Sequence, residues 1–387
     1  MDNQNIKSMI GKTLLEIADS IESGQFNKKT RVAITLLGSE HGLENILNGA
    51  ELAQKRDDSI EVVLIGPKLE TALKTYEACT EAEQHQKMEE LLDQGIVEAA
   101  VTMHYNFPIG VSTVGRVLTP GTGKEMILAT TTGTSATHRV EGMVKNSIYG
   151  LITAKALGIQ SPKIGILNVD GARQTENILK QLRDNGYALD FAESARADGG
   201  AVMRGNDLLM GTPDVMVMDS LTGNILMKTF SAYTTGGDYE ALGYGYGPGV
   251  GDGFDRTVLI ISRASGIPVV ANAILYGAEV ARGGLQEISR REMAKAKSAQ
   301  LESLLAKLHK ENPASSVVAV QAPDKEVVTA TIGGIDIMDL EEAVQVLWQA
   351  GIYAESGMGC TGPMIMVNEL KKDNATEILI QNEFLSK

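Results

Sequence analysis

Residues 31–65 read RVAITLLGSEHGLENILNGAELAQKRDDSIEVVLI, and this stretch decides the fold. Arg31–Leu37 is an apolar run. Gly38-Ser39-Glu40-His41-Gly42 is a polar loop. Leu43–Gln54 carries apolar residues at helical spacing, and Ile60–Ile65 is a second apolar run closed by Gly66-Pro67. Strand, helix and strand in this order predict parallel strands joined by a right-handed crossover.

The alternation continues along the chain. Met88–Gln94, Gly142–Leu157 and Thr175–Asn185 are predicted helices. Ala99–Met103, Met126–Thr130, Lys163–Val169, Val215–Asp219 and Pro268–Ala273 are predicted strands. The expected fold class is α/β, a mostly parallel sheet with helices on both faces, followed by a small C-terminal α+β unit. The boundaries expected are an N-terminal helical arm over 1–30, an α/β domain over 31–290, a connecting helix over 291–312, and the C-terminal unit over 313–387. The arm repeats Ile6, Ile10, Leu14, Ile17 and Ile21 at helical spacing and ends at Gly24. It is either a docking arm or a helix packed on its own domain. Thr234–Gly253 is crowded with glycine and reads as a long loop between Ile225–Tyr233 and a helix after Asp255. Ser316–Gln321 and Val327–Ile332 are expected strands, Leu340–Ala350 a helix, Ile352–Val367 irregular, and Thr376–Leu385 the last helix.

With 387 residues, of which 43% are apolar, the chain can bury a large core. Only 22% of its residues are charged, which excludes a disordered chain. No apolar run reaches the ~18 residues of a membrane span. The net charge is −14 and no Lys/Arg cluster stands out, so a nucleic-acid partner is not expected. Met1–Ile10 has no signal-peptide core, and two cysteines cannot make a disulfide framework. A reducing cytoplasm is the expected compartment. Only 4% of the residues are aromatic, so the core is aliphatic, as under a parallel sheet.

Cys360 lies in Ser356-Gly357-Met358-Gly359-Cys360-Thr361-Gly362-Pro363. Glycine lets a substrate approach the backbone closely, and successive N–H groups there stabilise a thiolate or a thioester oxyanion. Cys360 is thus a candidate nucleophile, with a small structural residue in a turn as the other reading. Cys79 sits in a polar stretch without such a setting. Polar loops follow several strands. They are Gly38–Gly42, Met103-His104-Tyr105-Asn106, Thr131–Ser135 with His138 and Arg139 behind it, and Asp219–Asn224. In a parallel sheet these loops meet at one edge, where ligands bind. Their hydroxyls, N–H groups and cations suit phosphate. No loop matches a nucleotide fingerprint, and the five histidines show no metal-ligand spacing. No metal and no cofactor are expected.

Leu37–Gly42 after a strand resembles the first loop of the bacterial phosphate acyltransferases of phospholipid synthesis. Leu91–Gly95 with Glu98–Val101 resembles their next helix–strand unit, and Pro162–Val169 their central strand. Asp214–Asp219 with Gly223–Thr229 resembles a signature shared with phosphotransacetylases. Thr35 stands where that family has an aspartate. The glycine-rich 234–253 stretch and everything after about residue 290 are additions. With Gly357–Pro363 included, the whole chain is similar to a more specialised family, the small (alpha) subunits of protein C from glycine reductase complexes.

That resemblance implies phosphorolysis of an enzyme-bound acetyl thioester to acetyl phosphate, with inorganic phosphate as substrate. It implies a larger beta subunit, selenoprotein A and the other components of the glycine, sarcosine or betaine reductase complex as partners. Cys360 would carry the acetyl group. Gly38, Ser39, His41, His104, Thr134, Ser135, Asn224 and Lys228 are the candidates to hold phosphate or the incoming acyl group. Two rival readings are a phosphate acyltransferase that uses acyl-carrier thioesters and a docking subunit without catalysis.

Overall fold

The computed structural model describes residues 29–195, 200–310, 322–333, 335, 340–359, 362–382 and 384–385. The expected helix over 5–23, the expected strand over 316–321 and Cys360 lie outside the described residues. The N-terminal half of the fold comprises β1 (Thr30–Thr35), α1 (Gly42–Arg56), β2 (Ile60–Gly66), β3 (Lys74–Glu77), α2 (Glu81–Asp93) and β4 (Ala99–Thr102). Then follow β5 (Val111–Leu118), β6 (Glu125–Thr134), α3 (Arg139–Ala156), β7 (Lys163–Leu167), α4 (Ala172–Asp184), β8 (Asp190–Phe191) and β9 (Val202–Met203). Next are α5 (Gly205–Met210), β10 (Val215–Val217), α6 (Ser220–Ala232), β11 (Gly247–Gly251), β12 (Val258–Ile260), α7 (Ile267–Arg282), α8 (Leu285–Ser298) and α9 (Leu301–Lys310). The C-terminal unit holds β13 (Ala330–Gly333), α10 (Leu340–Gln349), β14 (Ala354–Gly359), β15 (Gly362–Val367) and α11 (Lys372–Gln381).

Twelve strands form one sheet in the order β3-β2-β1-β4-β12-β11-β5-β6-β10-β7-β8, with β9 also paired to β7. Neighbours from β3 to β12 are parallel, as are those from β6 to β8. The three contacts between them, β12–β11, β11–β5 and β5–β6, are antiparallel. The two parallel halves therefore point in opposite directions. Helices cover both faces. Val32 and Ile34 of β1, with Leu36 just beyond it, join one core layer and Ala33 joins the other. Burial on both sides is why these strands read as continuous apolar runs rather than as alternation. Apolar residues of α8 and α9, such as Met293 and Leu304, belong to the main core. The C-terminal unit has its own core around Leu340, Leu347 and Ile365, and Ile109, just before β5, packs against it. No helix among the described residues is long and apolar enough to cross a membrane.

Four expectations need correction. Pro268–Ala273 is helix, not strand, within α7. A helix sunk among other elements loses its polar face, so its period fades, and Pro268 sits where a helix starts well. The region after Asp255 is the strand β12, not a helix. Ile352–Val367 is not irregular but contains the β14–β15 hairpin. Within the glycine-rich stretch, Gly247–Gly251 is the buried strand β11 rather than loop. Its composition answers to its neighbours. A Cβ on Gly249 would lie 2.3 Å from the Phe107 ring, and one on Gly247, at φ +86°, would lie 1.7 Å from the Val114 carbonyl oxygen.

Gly247→Ala should therefore lower the urea midpoint far more than Gly236→Ala, which also has positive φ (+68°) but no atom within 4 Å of its Cβ position. The strained backbone alone costs about 1–2 kcal/mol. Equal losses would show that the close approach to β5 carries no weight.

Candidate active site

Because the half-sheets oppose each other, the candidate residues fall into two groups instead of sharing one edge. The first group gathers where β1, β4 and β12 end side by side. The buried side chain of Gln84 on α2 accepts hydrogen bonds from the Leu36 and Leu37 N–H groups at 3.0 and 3.1 Å, which shapes the turn into Gly38. The His41 N–H donates to Ser39 Oγ at 3.1 Å. The Glu40 N–H donates to the Arg263 carbonyl at 2.9 Å, tying the loop after β1 to the loop after β12. Helix α1 begins without a side-chain cap at His41. The Gly42 N–H donates to the Ser39 carbonyl at 3.3 Å, and the N–H groups of the next residues point where the helix dipole favours an anion.

His104 follows β4, and its ring centre lies 6.1 Å from that of His85 on α2. Burial lowers the pKa of both. The neighbouring charges of His85 and Arg263 push His104 down further, while Glu81 and Glu89 partly restore His85. Both rings are neutral at pH 7. Below them Thr35 Oγ1 donates to Thr102 Oγ1 at 2.9 Å, and Thr102 donates to the His104 carbonyl at 3.2 Å. The exposed Arg263 guanidinium stands 3.8 Å from Glu81.

Lys228, on the last turns of α6, closes the group from the other half-sheet. Its Nζ is 3.9 Å from Glu240, a carboxylate only 2% exposed. Glu240 accepts from the Tyr246 hydroxyl at 3.0 Å and the Ser265 hydroxyl at 3.1 Å, and burial pushes its pKa up. Its backbone brackets the Arg263 loop, donating to the Ala264 carbonyl and accepting from the Gly266 N–H, both at 2.9 Å. Tyr239 beside it meets the His41 ring edge-on at 6.1 Å.

Gly38, Ser39, His41 and His104 thus gather at the ends of β1 and β4, and Lys228 is linked to them through Glu240, Tyr239 and the Arg263 loop, with three residues the sequence reading missed among them. Arg263 follows a strand in Ile261-Ser262-Arg263, the same pattern that marked the other loops. It was hidden because β12 reads as helix. Glu240 sits in the stretch read as loop, and His85 on a polar helix that carries no signal of its own.

The second group lies at the opposite sheet edge. The Ser135 hydroxyl sits between Ser112 Oγ, at 2.7 Å, and the Asn146 side-chain oxygen. Asn146 in turn donates to the Met218 carbonyl at 2.8 Å. Ser135 is thus engaged in holding β5, β6 and β10 together. Asn224 donates to the Thr131 carbonyl at 3.0 Å and clamps α6 to β6. Thr134 is buried, and its hydroxyl has no partner. Cys79 is an exposed thiol just before α2. Among the described residues no group of three or more His, Cys, Asp or Glu side chains could hold a metal ion.

A two-sided sheet of parallel α/β units with polar loops at its strand ends defines an α/β protein of the kind that takes ligands at such ends. The family model described as fatty acid synthesis protein matches residues 30–366. Over 376 residues the chain is 64% identical to the glycine/sarcosine/betaine reductase complex component C subunit alpha of Peptoclostridium acidaminophilum, covering 97% of this chain and 98% of that one. It is 27% identical to the phosphate acyltransferase of Thermotoga neapolitana over 237 residues, 51% of this chain and 68% of that protein. A branched-chain phosphotransacylase from Enterococcus faecalis superposes with a TM-score of 0.47 at 18% identity, over 65% of this chain and 99% of that one. The chain belongs to the fatty acid synthesis protein family and, within it, to the group of the reductase component C alpha subunits.

The neutral histidines set a pH dependence. Their pKa values are lower folded than the ordinary 6.5. As pH falls from about 7 to 5 the unfolded chain binds protons that the folded chain refuses, so stability falls. Urea midpoints of a His85→Gln/His104→Gln variant should show a flatter profile across this window. An unchanged slope would place the titration elsewhere.

Proposed function

We propose that the chain transfers an acyl group to inorganic phosphate, as the alpha subunit of component C in a glycine, sarcosine or betaine reductase complex. The specific reaction is phosphorolysis of an acetyl thioester on Cys360 to acetyl phosphate. The observation that carries this reading is the cluster of polar and basic groups at the ends of β1, β4 and β12. There Arg263, Lys228 and the uncapped start of α1 offer positive charge and N–H donors beside a neutral His104. The relatives named phosphate acyltransferase, and the reductase subunit itself, support it.

In this reading Arg263, Lys228, Ser39 and the N–H groups of Leu43 and Glu44 in the first turn of α1 hold phosphate. A phosphate oxygen attacks the acyl carbon and the C–S bond breaks, leaving a thiolate. The proton lost by hydrogen phosphate passes to the neutral His104 ring and from there to the departing thiolate. Fixing phosphate against the acyl carbon supplies several kcal/mol through effective molarity. No cofactor is needed. The working partners are the beta subunit, selenoprotein A and the other reductase components, in the cytoplasm.

Incubation with acetyl phosphate and arsenate tests this, because the acyl arsenate hydrolyses at once and acetyl phosphate disappears. Wild type should consume it and Cys360→Ala should not. Arg263→Gln should raise the KM for arsenate about tenfold or more, the scale of a lost charge-assisted contact. Full activity of Cys360→Ala would overturn the thioester route, and an unchanged KM in Arg263→Gln would remove phosphate from this cleft.

A further inference from the structure

Helix α6 is apolar on two sides, and the structure covers only one of them. Its inner side, with Gly223, Met227 and Phe230, is buried against β5 and β6. Its outer side repeats Leu221, Ile225, Lys228 and Ala232 at helical spacing, and Leu221 is 68% and Ile225 56% exposed. A helix that is apolar all round belongs in an interior. Tyr233 and Tyr239 continue the outer side. Leu209 and Met210 on α5 follow Leu208, which shares a core layer with Met227 and Phe230. Six of the eight exposed large apolar side chains among the described residues therefore sit on this one face of the sheet. Clustering of this kind marks an interaction site.

The face is complementary to itself. At the N-terminal end of α6 Leu221 projects into solvent. At the C-terminal end Thr229, Ala232, Tyr233, Tyr239 and Ala264 line a hollow of about 320 Å3 beside Lys228. Leu221 and Ala232 stand about 16 Å apart along one helix. A two-fold axis through the middle of α6 sets two such helices antiparallel and puts each projecting Leu221 at the other's hollow, as an interface between identical chains requires. Charge favours the same partner. The chain carries −14, so two copies repel except through a face without net negative charge. Lys228 is the one charged residue of α6, and Glu240 balances it at 3.9 Å. Antiparallel pairing also brings the Asp219 cap of one helix towards the Lys228 end of the other. A lipid surface calls for several basic residues, and α6 has one.

We propose that α6 is the interface through which two copies of this chain pair, each α6 antiparallel to the other, with Leu221 of the partner subunit closing the hollow beside Lys228. The pairing does not depend on the acyl-transfer reading, and its test needs no turnover.

Light scattering on the full chain at about 20 μM, above the weak end of ordinary interfaces, should give the mass of two chains. Leu221→Asp and Ile225→Asp, both at exposed positions of the single chain, should each weaken the dimer at least about thirtyfold, the scale of a central interface residue, and leave the far-UV circular dichroism unchanged. In a Cys79→Ser/Cys360→Ser background, Leu221→Cys with Ala232→Cys should give a disulfide-linked dimer when diamide is added as oxidant, because within one chain the two positions are too far apart to bridge. A monomeric full chain, a dimer that both Asp variants leave intact, or cysteine pairs that do not link two chains would overturn the assignment. So would a monomer that gains mass only when a different polypeptide is added, which would give the face to that partner.

Discussion

Two antiparallel strands, β5 and β11, join two parallel half-sheets that point opposite ways, and much else follows from that join. It puts the C-terminal strand ends of the two halves at opposite edges of a single sheet. It also demands close backbone approach. Gly247 and Gly249 are there because the Val114 carbonyl and the Phe107 ring leave no room for a Cβ. The twelve-strand sheet thereby becomes continuous without a covering layer between its halves.

Electrostatics separates the two edges. At the ends of β1, β4 and β12, cations stand among groups whose charged forms burial disfavours. His85 and His104 are uncharged, and Glu240 is held in a pocket of hydroxyls. Glu240 also brackets the Arg263 loop through its own backbone, so one buried residue links Lys228, on the far half-sheet, to Arg263 on the near one. At the end of β6, most hydrogen-bonding capacity is spent internally. Ser135 and Asn224 connect strands and helix, while the buried Thr130 and Thr134 hydroxyls of β6 are left without a hydrogen-bond partner.

The strand–helix–strand reading of 31–65 held because those strands are buried on both faces and so advertise themselves as apolar runs. The polar loop at Ser39 and His41 was legible for the same reason, since it directly follows such a run. Arg263 was not, because three-residue β12 gives too short a signal to be told from helix. Nor was Ser135 legible as structure: a serine in a polar loop looks free until Ser112 and Asn146 are brought to it from other segments.

Local pattern in the chain determined the parallel α/β units, their helices on both faces and the polar loops that follow each strand, since periodicity and turn residues act over a few neighbours. Only the tertiary structure decided which of those loops meet. That depends on strand direction, and strand direction is set by long-range pairing through β5 and β11, where glycine serves a contact that no local pattern records.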